Sequence, residues 1–222
     1  MSEKGKLLKS DTIIKLAKEH SNNPFSVVDE AMIAYAGLAY FSATDLSLVT
    51  VSDVVTERGQ VVIENMLLGA YASNGKERLF YIGNKTYLHD VTTRVIKWRI
   101  ENRIKCLDRG LFAGLAPESR LFLKPNGEEF SLVYKNRFEG DVLTQPFQIQ
   151  RKFKAFYLPE GVSLATLMDS FIENFWLKKS SQGTVQAIAD LMKLTGLTKE
   201  TLRTKCIREQ TSIQDILKNL YK

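Results

Sequence analysis

The sequence predicts a mostly helical α+β domain with one small antiparallel sheet. Apolar residues recur at helical spacing over long stretches before residue 54 and after residue 86. Between them, about residues 60–82 hold short strand-like runs, and a Ser73-Asn74-Gly75-Lys76 turn lies inside that block. Strands confined to one block between helical patterns point to helices packed against a small sheet, not to an alternating chain with a parallel sheet.

Residues 1–24 read as an arm with a short helix, TIIKLAKEH, closed by the turn signal Ser21-Asn22-Asn23-Pro24. From Phe25 to Leu38 the chain reads as helix, with Val28, Met32 and Tyr35 on one face and alanines between them. A second short helix runs through Ala43-Thr44-Asp45-Leu46-Ser47-Leu48. After Val51-Ser52-Asp53-Val54 the period changes, and Glu57-Arg58-Gly59 makes a turn. Gln60–Asn65, Leu67–Ser73 and Glu77–Ile82 read as three strands, the last two joined by the Asn-Gly turn, which supplies positive φ. A long helix follows over about Thr86–Cys106, striped by Leu88, Val91, Val95 and Trp98. A loop marked by Pro117 and Pro125-Asn126-Gly127 leads to two basic segments read as helical, Ser131–Phe138 and Gln145–Phe156. Beyond Pro159-Glu160-Gly161, helices are expected over Leu164–Lys178, Val185–Leu194, Lys199–Arg208 and Ile213–Tyr221.

Composition narrows the function classes. At 222 residues the chain can bury a core without disulfides or metals. Two cysteines far apart, Cys106 and Cys206, read as free thiols, and two histidines without ligand spacing give no zinc site. No apolar run reaches a membrane span, and MSEKGKLLKS lacks the apolar core of a signal peptide, so a cytoplasmic location is expected. Residues 1–75 hold six Lys+Arg against nine Asp+Glu; the other 25 Lys+Arg and 16 Asp+Glu follow. A basic excess confined to the last two-thirds suits a phosphate backbone, and equally a solvated surface.

Five strings, in order, resemble the catalytic domain of the tyrosine recombinases (phage integrases). Phe41-Ser42-Ala43-Thr44-Asp45-Leu46-Ser47-Leu48-Val49-Thr50-Val51-Ser52-Asp53-Val54 is similar to the family's Leu-Arg-x-Ser-Glu-Leu-x-x-Leu-x-x-x-Asp-Ile. Lys76-Glu77-Arg78-Leu79 resembles its hairpin exit. Ser119-Arg120-Leu121-Phe122, then Asn126-Gly127-Glu128-Glu129-Phe130-Ser131, resembles its Leu-Phe…Gly…Leu-Ser loop. Ala165-Thr166-Leu167-Met168-Asp169-Ser170-Phe171 is similar to His-x-Leu-Arg-His-x-Phe, and Leu191-Met192-Lys193-Leu194-Thr195-Gly196-Leu197-Thr198 to Leu-Leu-Gly-His-Ser-x-Ile-Ser. The resemblance implies that family's catalytic-domain fold, with a three-stranded sheet, over residues 25–210, and a C-terminal helix at 211–222 that can be exchanged between subunits of a homo-oligomer.

The family's chemistry needs a tyrosine nucleophile, two arginines and a histidine on the phosphate oxygens, and a hairpin lysine as acid. The matching positions here hold Ser42, Ser73 (or Lys76 if the turn shifts), Ala165, Met168, Leu194 and Arg203. Tyr221 lies well beyond the nucleophile position. No catalytic residue, metal or cofactor is therefore expected. The resemblance implies a catalytically inactive integrase-like factor that binds double-stranded DNA and serves regulation, accessory recombination or maintenance of a mobile element or plasmid. With about 24 residues before the fold, one copy would cover one face of a duplex. The candidate DNA contacts are Lys76, Arg78, Lys135, Arg137, Gln148, Arg151, Lys152, Lys154, Lys199, Arg203 and Lys205. Of these, Gln148, Arg151, Lys152 and Lys154 fall on a helix that the resemblance directs into the major groove. Two alternatives stay open. Ala187–Arg203 also reads as a helix-turn-helix of a transcriptional regulator, turning at Gly196 and capped by Thr198. The domain also fits a protein-interaction module without DNA binding.

Overall fold

The computed structural model describes residues 7–19, 26–68, 75–108, 110–130, 133–136, 142–156 and 158–206; at Ser26 and over 133–136 and 142–145 only the backbone is described. Its α-helices are α1 (Ser10–Glu19), α2 (Ser26–Ala39), α3 (Ala43–Leu48), α4 (Val51–Val54), α5 (Tyr87–Glu101), α6 (Phe147–Ala155), α7 (Leu164–Lys179) and α8 (Thr184–Thr195). Residues 199–206 are also helical. Strands β1 (Glu64–Leu67) and β2 (Arg78–Tyr81) form one antiparallel ladder, and β3 (Val133–Asn136) and β4 (Val142–Gln145) form another.

Helix α2 is the axis of the core. Ala31, Met32, Ile33, Ala34, Tyr35 and Ala36 are all fully buried, so this helix is covered on every side, and α1, α5 and α7 pack against it. Its small residues allow that. A Cβ at Gly37 would sit 2.7 Å from a methyl of Ile13, which marks where α1 crosses closely. Ile13, Leu16 and Ala17 of α1 enter the same core. Helix α2 ends at Tyr40, whose φ of 61° turns the chain left-handed without a glycine and hands it to α3. Ser42 and Asp45 close α3 with a capping box: the Ser42 N–H donates to the Asp45 carboxylate at 2.7 Å and the Asp45 N–H donates to Ser42 Oγ at 3.2 Å. Thr86 caps α5 and Ser163 caps α7. A second, smaller apolar cluster lies between α7, α8 and 199–206, around Trp176, Ile188, Leu191, Leu202 and Cys206.

Three expectations need correction. Among the described residues the first sheet has two strands, paired Glu64↔Tyr81 through Leu67↔Arg78. Gln60–Asn65 is not the outer strand, because Val61 bridges Val55 across the Gly59 turn and the ladder begins only at Glu64. The rest of the expected middle strand, residues 69–73, lies outside the described residues. Within Ser131–Phe138, expected as a helix, the described residues Val133–Asn136 are extended and pair antiparallel with Val142–Gln145. β-Branched and aromatic residues at 133, 134, 142 and 144 favour an extended chain, and the basic residues beside them obscured that. Thr86–Cys106 is helical only to Glu101; Arg103 and Lys105 follow with left-handed φ of 52° and 53°. Cys106 and Cys206 are unbridged. Among the described residues no helix is long and apolar enough to cross a membrane.

Candidate nucleic-acid interface

Helix α6 is fixed by two apolar residues one turn apart, Ile149 (fully buried) and Phe153 (5% exposed). That spacing turns Phe147, Arg151 and Lys154 outward, all exposed, with Gln150 beside them. Lys152 takes a different part. Its ammonium lies 2.7 Å from Asp29 at the start of α2 and over the Phe156 ring, which ties α6 to the core helix. Gln148, half-buried, lines a small hollow with Trp98 and Phe130 on the same side as Lys152. The face left to solvent is therefore Gln150, Arg151 and Lys154; Gln150 was missed in the sequence, although it lies four residues before Lys154 on one side of the helix.

Three of the residues at positions matching the family's catalytic groups come together. Ser42, Ala165 and Met168 line a cleft of about 660 Å³. Its other walls are Gln150, Phe153 and Lys154 of α6, then Phe156 and Leu158, the 159–163 turn and the start of α7. Leu194 does not line the cleft but is tied to this region through its backbone. Its carbonyl accepts a hydrogen bond from Arg78 Nη1 at 3.1 Å, and Arg78 Nη2 lies 3.0 Å from Asp45 Oδ2. The same carboxylate oxygen accepts the Ser42 N–H. Arg203 is elsewhere: it lines a separate hollow of about 270 Å³ with Trp176, Val185, Ile188 and Met192.

Arg78 is thereby removed from the candidate DNA contacts. It is 2% exposed, its guanidinium sits 4.8 Å from the centre of the Phe41 ring, and its partner Asp45 is 1% exposed. Lys205 is ion-paired with Asp169 of α7, while Lys76, Lys199 and Arg203 are exposed. The backbone of Lys135 lies on β3, and Arg137 lies outside the described residues. The turn and cap expected between Ala187 and Arg203 are in place. Gly196, at φ 68°, ends α8, and Thr198 accepts from the Thr201 N–H to start the next helix.

Glu30 and Arg99, also buried, serve the structure. Arg94 makes a two-pronged ion pair with Glu30, which also accepts from Tyr87, joining α5 to α2. Arg99 is fully buried; it donates to the Arg120 carbonyl at 2.9 Å and to Ser119 Oγ at 2.8 Å, and desolvation lowers its pKa to about 10. It holds the loop that bridges Thr50 to Arg120.

With this geometry in hand, comparison with solved structures is decisive for the architecture. A XerA recombinase superposes with a TM-score of 0.59 over 96% of this chain, at 13% identity. The fold is the recombinase fold. Two structures of the Tn1549 transposon integrase, in complex with transposon right end DNA and with circular intermediate DNA, also match, at TM-scores of 0.46 and 0.48 and 14% identity. The chain spans 66% of the XerA recombinase chain and 62% and 68% of the two integrase chains. No family model and no curated protein matches the sequence.

Proposed function

We propose that the protein is a DNA-binding factor on a recombinase scaffold that does not cut DNA. The observation that carries this is the outer face of α6. Gln150, Arg151 and Lys154 stand in the solvent on a helix anchored from behind, and among the described residues neither Arg151 nor Lys154 forms an ion pair. Arginine and glutamine suit base edges, and lysine suits phosphates. The recombinase fold supports the same reading. The absence of cleavage is supported by the cleft: serine, alanine and methionine side chains carry no charge to hold a phosphate oxygen in the transition state. Its place would be in the cytoplasm, in regulation, accessory recombination or maintenance of a mobile element or plasmid.

Two measurements test this. Fluorescence anisotropy on random duplex across a salt series should give a steep slope for the full chain. Arg151→Gln with Lys154→Gln should weaken binding and flatten the slope by about 0.9 for each phosphate that is no longer neutralised. An unchanged slope would move the DNA face elsewhere; no binding at any salt would favour the interaction-module alternative. Nicked suicide substrates should trap no covalent adduct, and an adduct through Tyr221 would reverse the reading of inactivity.

A further inference from the structure

We propose that the cleft between α6, residues 158–163 and the start of α7 is a binding pocket for an amphiphilic carboxylate, whose occupancy lowers DNA affinity. The cleft's volume, about 660 Å³, lies within the ~300–1,000 Å³ of ligand pockets. Its walls are mainly apolar. Pro146, Phe153, Phe156, Leu158, Val162 and Met168 enclose space for an aliphatic chain or an aromatic body. Such a body gains by leaving water, whereas a phosphate diester finds few partners there.

The polar groups decide the head group. Lys154 stands in the wall, exposed. The 16-residue helix α7 begins in the same lining. Ser163 Oγ takes the Thr166 N–H and the Ser163 carbonyl takes the Leu167 N–H, so Leu164 and Ala165 hold the first-turn amides that a helix leaves without an acceptor of its own. A cation and a helix N-terminus beside an apolar wall favour one negative charge. Glu160 is the single acidic residue in the lining, exposed in its turn, and selects against a dianion.

Coupling to DNA follows from shared residues and rests on the reading of α6 given above. Phe153, Gln150 and Lys154 face the cleft from the same helix that presents Arg151 outward. A carboxylate on Lys154 neutralises a charge that a phosphate would otherwise use, so ligand and DNA compete.

The test uses the full chain and 8-anilinonaphthalene-1-sulfonate, an apolar monoanion that fluoresces when desolvated. Emission should saturate and be reversed by sub-micellar decanoate, with decanol weaker by about tenfold for want of the charge-assisted bond. Ala165→Trp, at an exposed position that lines the cleft, should abolish the signal while its melting temperature and ligand-free DNA binding stay as in the parent. Lys154→Gln should erase the preference for decanoate over decanol. Saturating decanoate should weaken DNA binding and lower the salt slope by about 0.9. Dye binding that survives Ala165→Trp, or that decanoate does not displace, overturns the pocket. Decanoate that displaces dye but leaves DNA affinity unchanged overturns the coupling. The displacement assay contains no DNA, so a chain that fails to bind DNA can still show the pocket, and the two readings fail separately.

Discussion

Arg78 carries a full charge into the interior, where desolvating an ion costs several kcal/mol unless its partner and hydrogen bonds are well placed. Here they are: Asp45 at 3.0 Å, the Leu194 carbonyl at 3.1 Å, and the Phe41 ring beneath. Removing one partner leaves the other charged and buried. Arg78→Ala should therefore cost about 3–5 kcal/mol in urea unfolding, whereas Arg78→Met combined with Asp45→Leu should recover most of it. A loss below 1 kcal/mol for the single change would deny the pair its role. This residue was not legible in the sequence, because nothing in Glu77-Arg78-Leu79 distinguishes an inward arginine; its explanation lies 33 positions away. The tyrosines give a second prediction. Burial raises Tyr35, Tyr40 (to about 12) and Tyr87, the last also through its bond to Glu30. Folded values above the unfolded ~10 mean that the stability these phenols contribute is present below pH ~10 and is lost as pH rises through their folded values. Arg99, lowered from 12.5 to about 10, acts oppositely over that interval. Three phenols against one guanidinium should make stability fall above pH ~10. Phenolate absorbance should then show a late tyrosine fraction that ionises together with unfolding. Its ionisation at the ordinary value, with the fold intact, would contradict the burial argument.

At the scale of elements, α6 divides its charges by face, and the division can be measured. Lys152 is bonded to Asp29 with both partners partly exposed, so Lys152→Ala should cost about 1 kcal/mol or less in stability. It should leave the salt slope of DNA binding near that of the parent. Arg151→Gln should do the reverse, preserving the melting temperature and flattening the slope. If Lys152→Ala instead has the larger effect on slope, the DNA face is the one beside Asp29 and Trp98. Helices α2, α3, α5, α7 and α8 were legible because their apolar positions recur at helical spacing. The β3–β4 pair was not. Lys135 and Arg137 made a short strand look like a basic helix, and four-residue strands give period-two alternation little room to show. The β1–β2 register was missed for a related reason: the Asn-Gly turn is a local signal, whereas the pairing of Leu67 with Arg78 is set by which side chains the core accepts.

For the whole molecule, the order of motifs along the chain was enough to indicate the recombinase fold, but not which residues meet. Ser42 and Met168 share a cleft while Arg203 lines another, and that depends on how α7 and α8 cross, which no local pattern records. The second hollow bears on assembly. Trp176, Ile188 and Met192 line it together with Val185, which is 83% exposed, and Cys206 closes one side where the helix 199–206 arrives. In the sequence beyond it, Ile213, Ile216, Leu217 and Leu220 stand at i, i+3, i+4 and i+7, one face of a helix if that segment is helical. Burying such side chains is worth about 1.5–3 kcal/mol each, so the face has a strong reason to find an apolar surface. Docking onto the same copy stabilises a monomer. Docking onto the equivalent hollow of the next copy links subunits head to tail, and several copies on one duplex hold it longer than one. Exchange is the outcome expected here. Light scattering should find the full chain multimeric, alone at high concentration or on DNA, and a chain ending at Arg208 monomeric with an unchanged melting temperature. If the full chain stays monomeric under both conditions, and truncation lowers its melting temperature, the segment packs on its own domain and exchange is wrong.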